Sequence, residues 1–259
     1  MKRVDLRWLA DRWEENQAVL RQSMSDGQAD YFGARWISLR SVPISRFNHV
    51  ACIRIASEER QALLAKLRQH FAGREIPNPA LMVTPATEPA DLGEWLMRQG
   101  WTWESVPVMA WQPGPLPLTP AIKVTEAGPD DLAQVFHLVQ RVFFPSASPL
   151  YLEIGRRSIW SAEQIGMRHF IGWVDGVAVG ASSLFCWKGM AGIYNMCTLP
   201  AYRSQGIASA LLARLISVAQ AAGSEGIALV PTPAGRRLYE RFGFREVFRE
   251  RYYTPSHTL

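Results

Sequence analysis

Residues 200–208 read Pro200-Ala201-Tyr202-Arg203-Ser204-Gln205-Gly206-Ile207-Ala208 and join an apolar run to a long amphipathic pattern. The preceding run, Ala191–Leu199, predicts a buried strand, and the apolar residues that recur at helical spacing as far as Ala219 predict a helix. A glycine-bearing turn that opens a helix leaves several amide groups unpaired at the positive end of the helix dipole, where they suit a phosphate or pyrophosphate. Gly206 and Ala208 fit this role because a larger side chain would hold the ligand away from the backbone.

A second landmark follows further along the chain. The string Leu238-Tyr239-Glu240-Arg241-Phe242-Gly243-Phe244 is typical of a helix that ends at a glycine and leads into a new strand, and an apolar run at Ile227–Val230 precedes it. Taken alone, the Arg-x-x-Gly-x-Ala string of the first landmark also fits an ordinary turn before a surface helix. With both landmarks in this order and spacing, the sequence resembles the core of the GNAT acetyltransferase superfamily.

The element order in the second half of the chain is also similar to that family. A strand, two helices, three antiparallel strands, a helix, a strand, a helix and a strand follow one another, and Asp175-Gly176 marks a hairpin turn between two of the strands. The resemblance implies an α/β (α+β) fold, a GNAT-like mixed and mostly antiparallel sheet flanked by helices, in two tandem units. We predict strands at Ile122–Thr125, Phe170–Val174, Val177–Cys186, Ala191–Thr198, Ile227–Val230 and Arg245–Tyr253, and helices from Pro129 to Phe143, at Leu150–Trp160, after Gly206 and at Ala234–Phe242.

Four prolines between Pro113 and Pro120 predict a stiff linker at 113–120. It separates a first domain, residues 1–112, from a catalytic GNAT N-acetyltransferase domain, residues 121–259. The end of the first domain repeats the strand, proline, helix, Gly-aromatic and strand order, so we interpret it as a degenerate, non-catalytic GNAT-like unit; an unrelated α+β domain is the alternative. This unit lacks the glycine turn, and Leu96 stands where Tyr239 stands in the second. Upstream, a helix is expected from an N-cap at Ser57 to Gly73.

Composition excludes several classes of protein. Of the 259 residues, 48% are hydrophobic and 20% are charged, which is typical of a globular protein. No apolar stretch approaches the roughly 20 residues that span a bilayer, and residues 1–10 lack the apolar core of a secretory signal. Cys52, Cys186 and Cys197 have neither the number of a disulfide framework nor metal-ligand spacing. We therefore expect a cytoplasmic protein with no metal and no membrane partner.

The net charge of +5 raises the question of a nucleic-acid partner. No basic run with interleaved aromatic residues accompanies the charge, so we expect none. A nucleic-acid-binding protein is the weakest of three functional hypotheses, and it predicts binding with a steep salt dependence. The chain's last arginines fit a solvated face, from which one or two could meet the phosphates of a nucleotide-like cofactor: Arg236, Arg237, Arg241, Arg245, Arg249 and Arg251.

The resemblance implies how acetyl-CoA would be bound. In the family the strand before the glycine turn bulges away from its neighbour, and its free backbone groups hold the pantetheine arm and the thioester oxygen. In this sequence those residues are Met196, Cys197 and Thr198. The pyrophosphate would rest on the amides of Arg203, Ser204, Gln205, Gly206, Ile207, Ala208 and Ser209. Thr232 stands where the family often has an Asn that contacts the cofactor arm, and Gly235 stands where an Ala is common.

Tyr239 matches the tyrosine that many family members use as general acid. A phenol of pKa about 10 can protonate a thiolate whose conjugate acid has a pKa of about 8.5. The other interpretation is a tyrosine that packs its ring and bonds to the backbone. No general base is identified: Ile227 is apolar where some relatives have Glu, while His137, Glu163 and His169 also fit structural or solvated roles. A relay through water is the remaining route.

The leading hypothesis is an acetyl-CoA-dependent N-acetyltransferase that acts on a primary amine by direct attack. The acceptor, a small molecule or a protein or peptide amine, would approach near the Phe144–Tyr151 loop, with Trp160 and Trp187 as wall residues. The alternative is a non-catalytic acyl-CoA-binding or regulatory module on the same fold. Neither the acceptor, the acyl chain length nor the oligomeric state follows from the sequence.

Overall fold

A computed structural model describes residues 5–40, 42–72, 76, 78–145 and 148–256 of the chain. The first half contains three helices and five strands in its described part. In chain order they are α1 (Leu6–Met24), β1 (Gly27–Tyr31), β2 (Ala34–Ser38), β3 (His49–Ala51), α2 (Arg60–Phe71), β4 (Ala80–Val83), α3 (Leu92–Arg98) and β5 (Trp101–Trp111).

The second half continues with four helices and six strands in its described part. They are β6 (Lys123–Glu126), α4 (Leu132–Phe143), α5 (Pro149–Glu163), β7 (Arg168–Val174), β8 (Val177–Trp187), β9 (Met190–Thr198), α6 (Ile207–Ala221), β10 (Gly226–Leu229), α7 (Arg236–Arg241) and β11 (Phe244–Pro255). The sheet is mixed, and helices flank it. Most strand pairs are antiparallel, and β3–β4 and β9–β10 are parallel. The predicted fold class is confirmed.

The chain divides into two compact units, which we call unit 1 and unit 2. Unit 1 consists of Met1–Val108 together with Glu246–Leu259. Its strand order is β1-β2-β3-β4-β11-β5, and Leu81–Val83 of β4 pair in antiparallel register with Arg251–Tyr253 of β11. Its core gathers apolar side chains from β2, α2, β4, α3 and β11, among them Trp36, Leu63, Leu67, Leu81, Leu96 and Tyr253.

Unit 2 consists of Met109–Arg245. Its strand order is β5-β10-β9-β8-β7-β6, where β5 contributes Met109 and Ala110 as partners of β10. The β7–β8 hairpin turns at Asp175-Gly176, whose φ angles of +48° and +77° confirm the predicted turn. One core cluster forms where α6 packs against the sheet, and another gathers side chains of α4, α5 and the strands β7, β8 and β9.

The division into units differs from the domain boundaries expected from the sequence. The last strand passes into unit 1, because β11 pairs with β4. The proline segment contains neither helix nor strand, but it is not a free linker, because its Leu116 packs against the core of unit 2. The non-catalytic character of the first half stays a prediction.

The expected N-cap at Ser57 is wrong. Ser57–Glu59 form a 3-10 turn ahead of α2, and the amide of Ala56 donates to the Glu59 carboxylate at 2.8 Å. The acidic side chain, rather than the serine hydroxyl, therefore fixes the start of this segment. The expected helix end at Gly73 lies outside the described residues.

Candidate active site

The strand β9 separates from β10 part-way along its length. The two strands pair in parallel from Met190 to Gly192, and the rest of β9 pairs with β8 on its other side. The β8–β9 register shifts between Ala181 and Ser183, and Asn195 of β9 has a φ of +53°. This is a β-bulge, which bends the strand that carries it. Within the described residues, Met196, Cys197 and Thr198 have no pairing partner in β10. Their role in binding a cofactor stays a prediction.

The turn after β9 has two residues in the left-handed region. Ser204 has a φ of +63°, and Gly206, which caps α6, has a φ of +87°. The first backbone bond of the helix runs from the Ala210 amide to the Gly206 carbonyl at 2.9 Å. Within the described ranges nothing accepts a hydrogen bond from the backbone amides of Ser204, Gln205, Gly206, Ile207, Ala208 and Ser209. The turn thus presents a row of free donors at the positive end of a long helix.

Gly206 also lies against the proline segment. A Cβ at this position would collide with the ring of Pro120. The side chains of Arg203, Ser204 and Gln205 are exposed. The backbone, rather than a charged side chain, dominates the chemistry of this turn.

Among the polar residues of the predicted pyrophosphate set, Ser209 differs because its side chain is buried. Its hydroxyl accepts a hydrogen bond from Arg241 Nη2 at 2.9 Å, which links the first turn of α6 to α7. Arg241 was predicted only as one of a group of surface arginines, and its contact with Ser209 had no signal in the sequence.

Tyr239 on α7 is 6% exposed, and its ring meets that of Phe244 edge-on at a centroid distance of 5.9 Å. No hydrogen-bond partner of its hydroxyl occurs in the described part of the chain. Burial raises the pKa of this phenol to about 12, and the proximity of Cys197 adds to the rise. The structure thus brings Tyr239 close to the opened part of β9, with a hydroxyl that is free to meet a ligand.

The Cys197 thiol is held in its neutral form. Burial raises its pKa to about 12, so it carries no thiolate at neutral pH and behaves as a small apolar side chain. The neighbouring Thr198 is half-buried, and its Oγ1 is a buried oxygen for which the described residues supply no hydrogen-bond partner. A buried, unpaired hydroxyl beside the strand separation fits a polar ligand group there.

Thr232 is exposed at the start of α7. Its Oγ1 accepts a hydrogen bond from the Gly235 amide at 3.2 Å, and a Cβ on Gly235 would lie 3.1 Å from the Tyr239 ring. Thr232 therefore fixes the turn that leads to Tyr239, and its hydroxyl hydrogen stays available to a ligand. Within the described residues no cluster of His, Cys, Asp and Glu is arranged to hold a metal ion.

The three candidate bases do not form a catalytic group. His137 is exposed on α4, and the Glu163 carboxylate accepts from the neighbouring Gln164 side chain. His169 is 2% exposed, and burial lowers its pKa to about 4, so it is a weak base at neutral pH. Trp187 lies at the end of β8 that pairs with Met190, which is about 25 Å of strand from Thr198 at roughly 3.3 Å per residue. It does not line the opened part of β9.

Comparisons with known proteins agree with this geometry. Residues 162–246 match the family model described as the acetyltransferase (GNAT) domain, and this segment contains the β9 separation, the glycine turn and Tyr239. The matched segment, about a third of the chain, is similar to the GNAT acetyltransferase domain. The matched segment contains all the residues named above as ligands of the cofactor or as the acid. Among proteins with curated functions, none matches the sequence.

Solved structures extend the likeness beyond the GNAT domain. A GCN5-related N-acetyltransferase from Kribbella flavida superimposes with a TM-score of 0.71 and 19% identity over 96% of both chains. A functionally unknown conserved protein from Staphylococcus epidermidis gives 0.62 and 11%, over 89% of this chain and 94% of that one. A protein assigned to the GNAT family from Novosphingobium aromaticivorans gives 0.58 and 18%, over 96% and 98%. At these identities the likeness establishes the fold. No described helix is both long and apolar enough to cross a membrane.

Proposed function

We propose that this protein transfers an acetyl group from acetyl-CoA to a primary amine by direct attack, with Tyr239 as the general acid. The observation that carries the proposal is the end of β9–β10 pairing at Gly192, next to a turn of free amides and a buried tyrosine. The GNAT match of residues 162–246 supports the reaction class. The three free cysteines support a reducing, cytoplasmic compartment.

The chain would hold acetyl-CoA mainly through its backbone. The amides from Ser204 to Ser209 would bind the pyrophosphate, whereas the Arg203 amide of the predicted set already donates to the Pro200 carbonyl at 3.3 Å. Met196, Cys197 and Thr198 would bind the pantetheine arm along the part of β9 that has no β10 partner. When bound, the thioester supplies the acetyl group. Backbone donors held rigidly in a cleft need no reorganisation as negative charge develops on an oxygen, which is why they stabilise it effectively.

Tyr239 would then donate its hydroxyl proton to the departing thiolate. Its raised pKa of about 12 keeps the phenol protonated at neutral pH, and the same rise makes it a weaker proton donor to the thiolate than an ordinary tyrosine. No described His or carboxylate is arranged to remove the proton of the amine, so we propose that water carries it to solvent. The acceptor would be a small molecule or a protein or peptide amine.

The decisive variant is Tyr239→Phe, assayed by thiol release with acetyl-CoA against a panel of amines. Loss of a positioned acid typically costs about 10²–10⁴ in rate, so we expect kcat to fall by about that factor. Binding of acetyl-CoA, measured by calorimetry, should stay within about threefold. The control is Tyr31→Phe, which removes an exposed hydroxyl in unit 1. An unchanged kcat in the Tyr239 variant would overturn the acid assignment.

The second candidate is a non-catalytic acyl-CoA-binding module. It is favoured by the absence of an arranged base among the described residues and by the use of the Thr232 oxygen as an acceptor within the α7 turn. It predicts that acetyl-CoA binds while no amine in the panel releases thiol. Failure of the wild-type chain to bind acetyl-CoA at millimolar concentration would remove both candidates.

A further inference from the structure

Three polar side chains form a hydrogen-bonded chain across three neighbouring strands of unit 2. His169 Nδ1 on β7 lies 2.8 Å from Ser183 Oγ on β8, and Asn195 Nδ2 on β9 donates to the same oxygen at 3.1 Å. His169 is 2% exposed and Ser183 is fully buried, while Asn195 is half-buried. The bonds satisfy His169 Nδ1 and the Ser183 hydroxyl, whereas the described residues supply no hydrogen-bond partner for the buried His169 Nε2. A buried polar network of this kind is costly to disrupt.

This row of hydrogen-bonded side chains ends at the β9 bulge. Ser183 pairs with His169 on one side and with Tyr194 on the other, and the β8–β9 register shifts immediately beyond it. Asn195 is the residue next to this shift, and its φ of +53° is unfavourable for most residues. A bulged residue is left out of the regular ladder, so its backbone is held less firmly than that of its neighbours. The side-chain bond to Ser183 supplies the missing restraint.

A second bond acts at the same point. Ser182 Oγ, fully buried on β8, donates to the carbonyl of Tyr194 at 3.2 Å. The residues just before and at the bulge are therefore both bonded to hydroxyl groups of β8. Beyond the bulge come Met196, Cys197 and Thr198, whose backbone faces the opening between β9 and β10.

We propose that His169 and Ser183 are positioning residues that hold the Asn195 bulge, and through it the acetyl-binding backbone of β9, in the reactive geometry. This proposal rests on the proposed function, which gives the β9 backbone its role. A displacement of about 1 Å at a reacting group can cost about 100-fold in rate, so a loosened bulge should affect turnover far more than affinity. We call the hydrogen bonds that join His169, Ser183 and Asn195 the tether. The pyrophosphate turn and β10 do not depend on the tether, so acetyl-CoA should still bind.

The low pKa of His169 is compatible with this role. Burial lowers it to about 4, so the imidazole stays neutral at neutral pH and offers one donor and one acceptor nitrogen. A neutral ring can bond to a hydroxyl without placing an unpaired charge in the core.

Two substitutions remove the tether and one restores it. Ser183→Ala and His169→Leu delete the central oxygen and its β7 partner, whereas His169→Asn can place an amide near the position of Nδ1. We expect kcat to fall about 10- to 100-fold in the first two, with acetyl-CoA Kd within about threefold, and to recover in His169→Asn. Turnover is expressed per coenzyme-binding site, so that loss of folded protein alone does not lower it. Ser224→Ala, which removes a serine hydroxyl after α6, is the control.

A second readout does not depend on activity. Amide hydrogen exchange in the protein without coenzyme should become faster at 194–198 in Ser183→Ala and His169→Leu, and should stay unchanged at 207–221. Unchanged exchange at 194–198, or a uniform loss of stability with an unchanged kcat, would overturn the tether. If the exchange changes as expected but the wild-type chain never transfers an acetyl group, the proposed function fails and the tether stands.

Discussion

Gly206 meets two separate constraints in unit 2. Its φ of +87° lies in the left-handed region, and the Pro120 ring occupies the space where a side chain would begin. Glycine satisfies both because it has no Cβ. The sequence suggested a third constraint, the close approach of a phosphate. The contact with Pro120 was not predictable, because nothing in the local sequence indicates where a proline segment folds back.

Gly206→Ala should therefore be much more harmful than a substitution that only imposes backbone strain. The left-handed conformation costs an alanine about 1–2 kcal/mol, and the collision with Pro120 adds to that cost. We expect the free energy of unfolding to drop by more than about 2 kcal/mol and acetyl-CoA binding to be lost.

Gly223→Ala supplies the matched comparison for this substitution. Gly223 lies just after the other end of α6, with a φ of +72°, and the space that a Cβ would occupy there is open. Gly223→Ala should lower the free energy of unfolding only by the cost of the left-handed backbone conformation, and it should leave acetyl-CoA binding intact. Equal losses in the two variants, measured by urea unfolding and calorimetry, would show that the Pro120 contact is unimportant.

Asn195 shows what residue-level patterns miss. An Asn inside a strand is unusual, because Asn is depleted in strands and tolerates positive φ, and this was a usable signal for a bulge. Its partners were not predictable: Ser183 and His169 reach it only through the pairing register of three strands, which the bulge itself shifts.

At the scale of elements, α1 is held in unit 1 by buried polar groups. The Glu14 carboxylate on α1 is fully buried, bonded to Arg54 Nη2 at 3.1 Å and to the Thr84 hydroxyl. From the same helix, Trp13 Nε1 donates to Glu250 of β11 at 2.6 Å, and Gln17 donates to the same oxygen. The docking of this helix thus depends on whether the Glu14 carboxylate is ionised.

Glu14 gives unit 1 a pH-dependent stability. Burial raises its pKa from 4.5 to about 7, against the opposing effect of Arg54. The folded state therefore binds the proton more tightly than the unfolded state, so this contribution is complete below pH 4.5 and is lost as the pH rises through 7. A shift of this size corresponds to about 3 kcal/mol.

Glu14→Gln should remove this dependence. Relative to the variant, the wild-type free energy of unfolding should decline between about pH 4.5 and 7.5. Unfolding in urea is measured by tryptophan fluorescence, to which the buried Trp13 and Trp36 contribute. Glu94→Gln, on an exposed part of α3, is the control and should parallel the wild type. A constant difference between wild type and Glu14→Gln across this range would contradict the assignment.

The same buried polar groups explain which elements the sequence could predict. The helix α6 has a continuous apolar face, and the expected helix after Gly206 is observed at Ile207–Ala221. No helix was predicted at Leu6–Met24, because the buried face of α1 includes Glu14, Asn16, Gln17 and Gln22, which erase the apolar periodicity. Buried polar side chains that are hydrogen-bonded inside the protein do not add to a periodic pattern of apolar residues, so that pattern does not reveal the helix that carries them.

At the scale of the whole molecule, the order of elements in the second half was predictable and the division into units was not. The strand–helix–strand order β4-α3-β5 is repeated as β10-α7-β11, with Gly100 and Gly243 both at positive φ after the helix. In each case the final strand contributes to both compact units. Pairing between strands far apart in sequence has no local signature, so composition and periodicity could not show it.

Tyr253→Ala tests this division. Tyr253 is 1% exposed and lies in the core cluster of unit 1, although it belongs to the end of the chain. Truncating a large buried aromatic side chain costs about 3–5 kcal/mol. We expect hydrogen-exchange protection to fall in α2 and α3 more than in α6. Preferential loss in α6 would show that β11 stabilises unit 2 instead.

The path of β11 also has a consequence for biosynthesis. Unit 1 includes Glu246–Leu259, so the ribosome must translate the whole intervening stretch before that unit is complete. At about 5–20 residues per second, this leaves the emerging N-terminal segment waiting for roughly 8–30 s. During that interval the β4 edge lacks its β11 neighbour. Nascent chains aggregate or bind chaperones through unpaired strand edges of this kind.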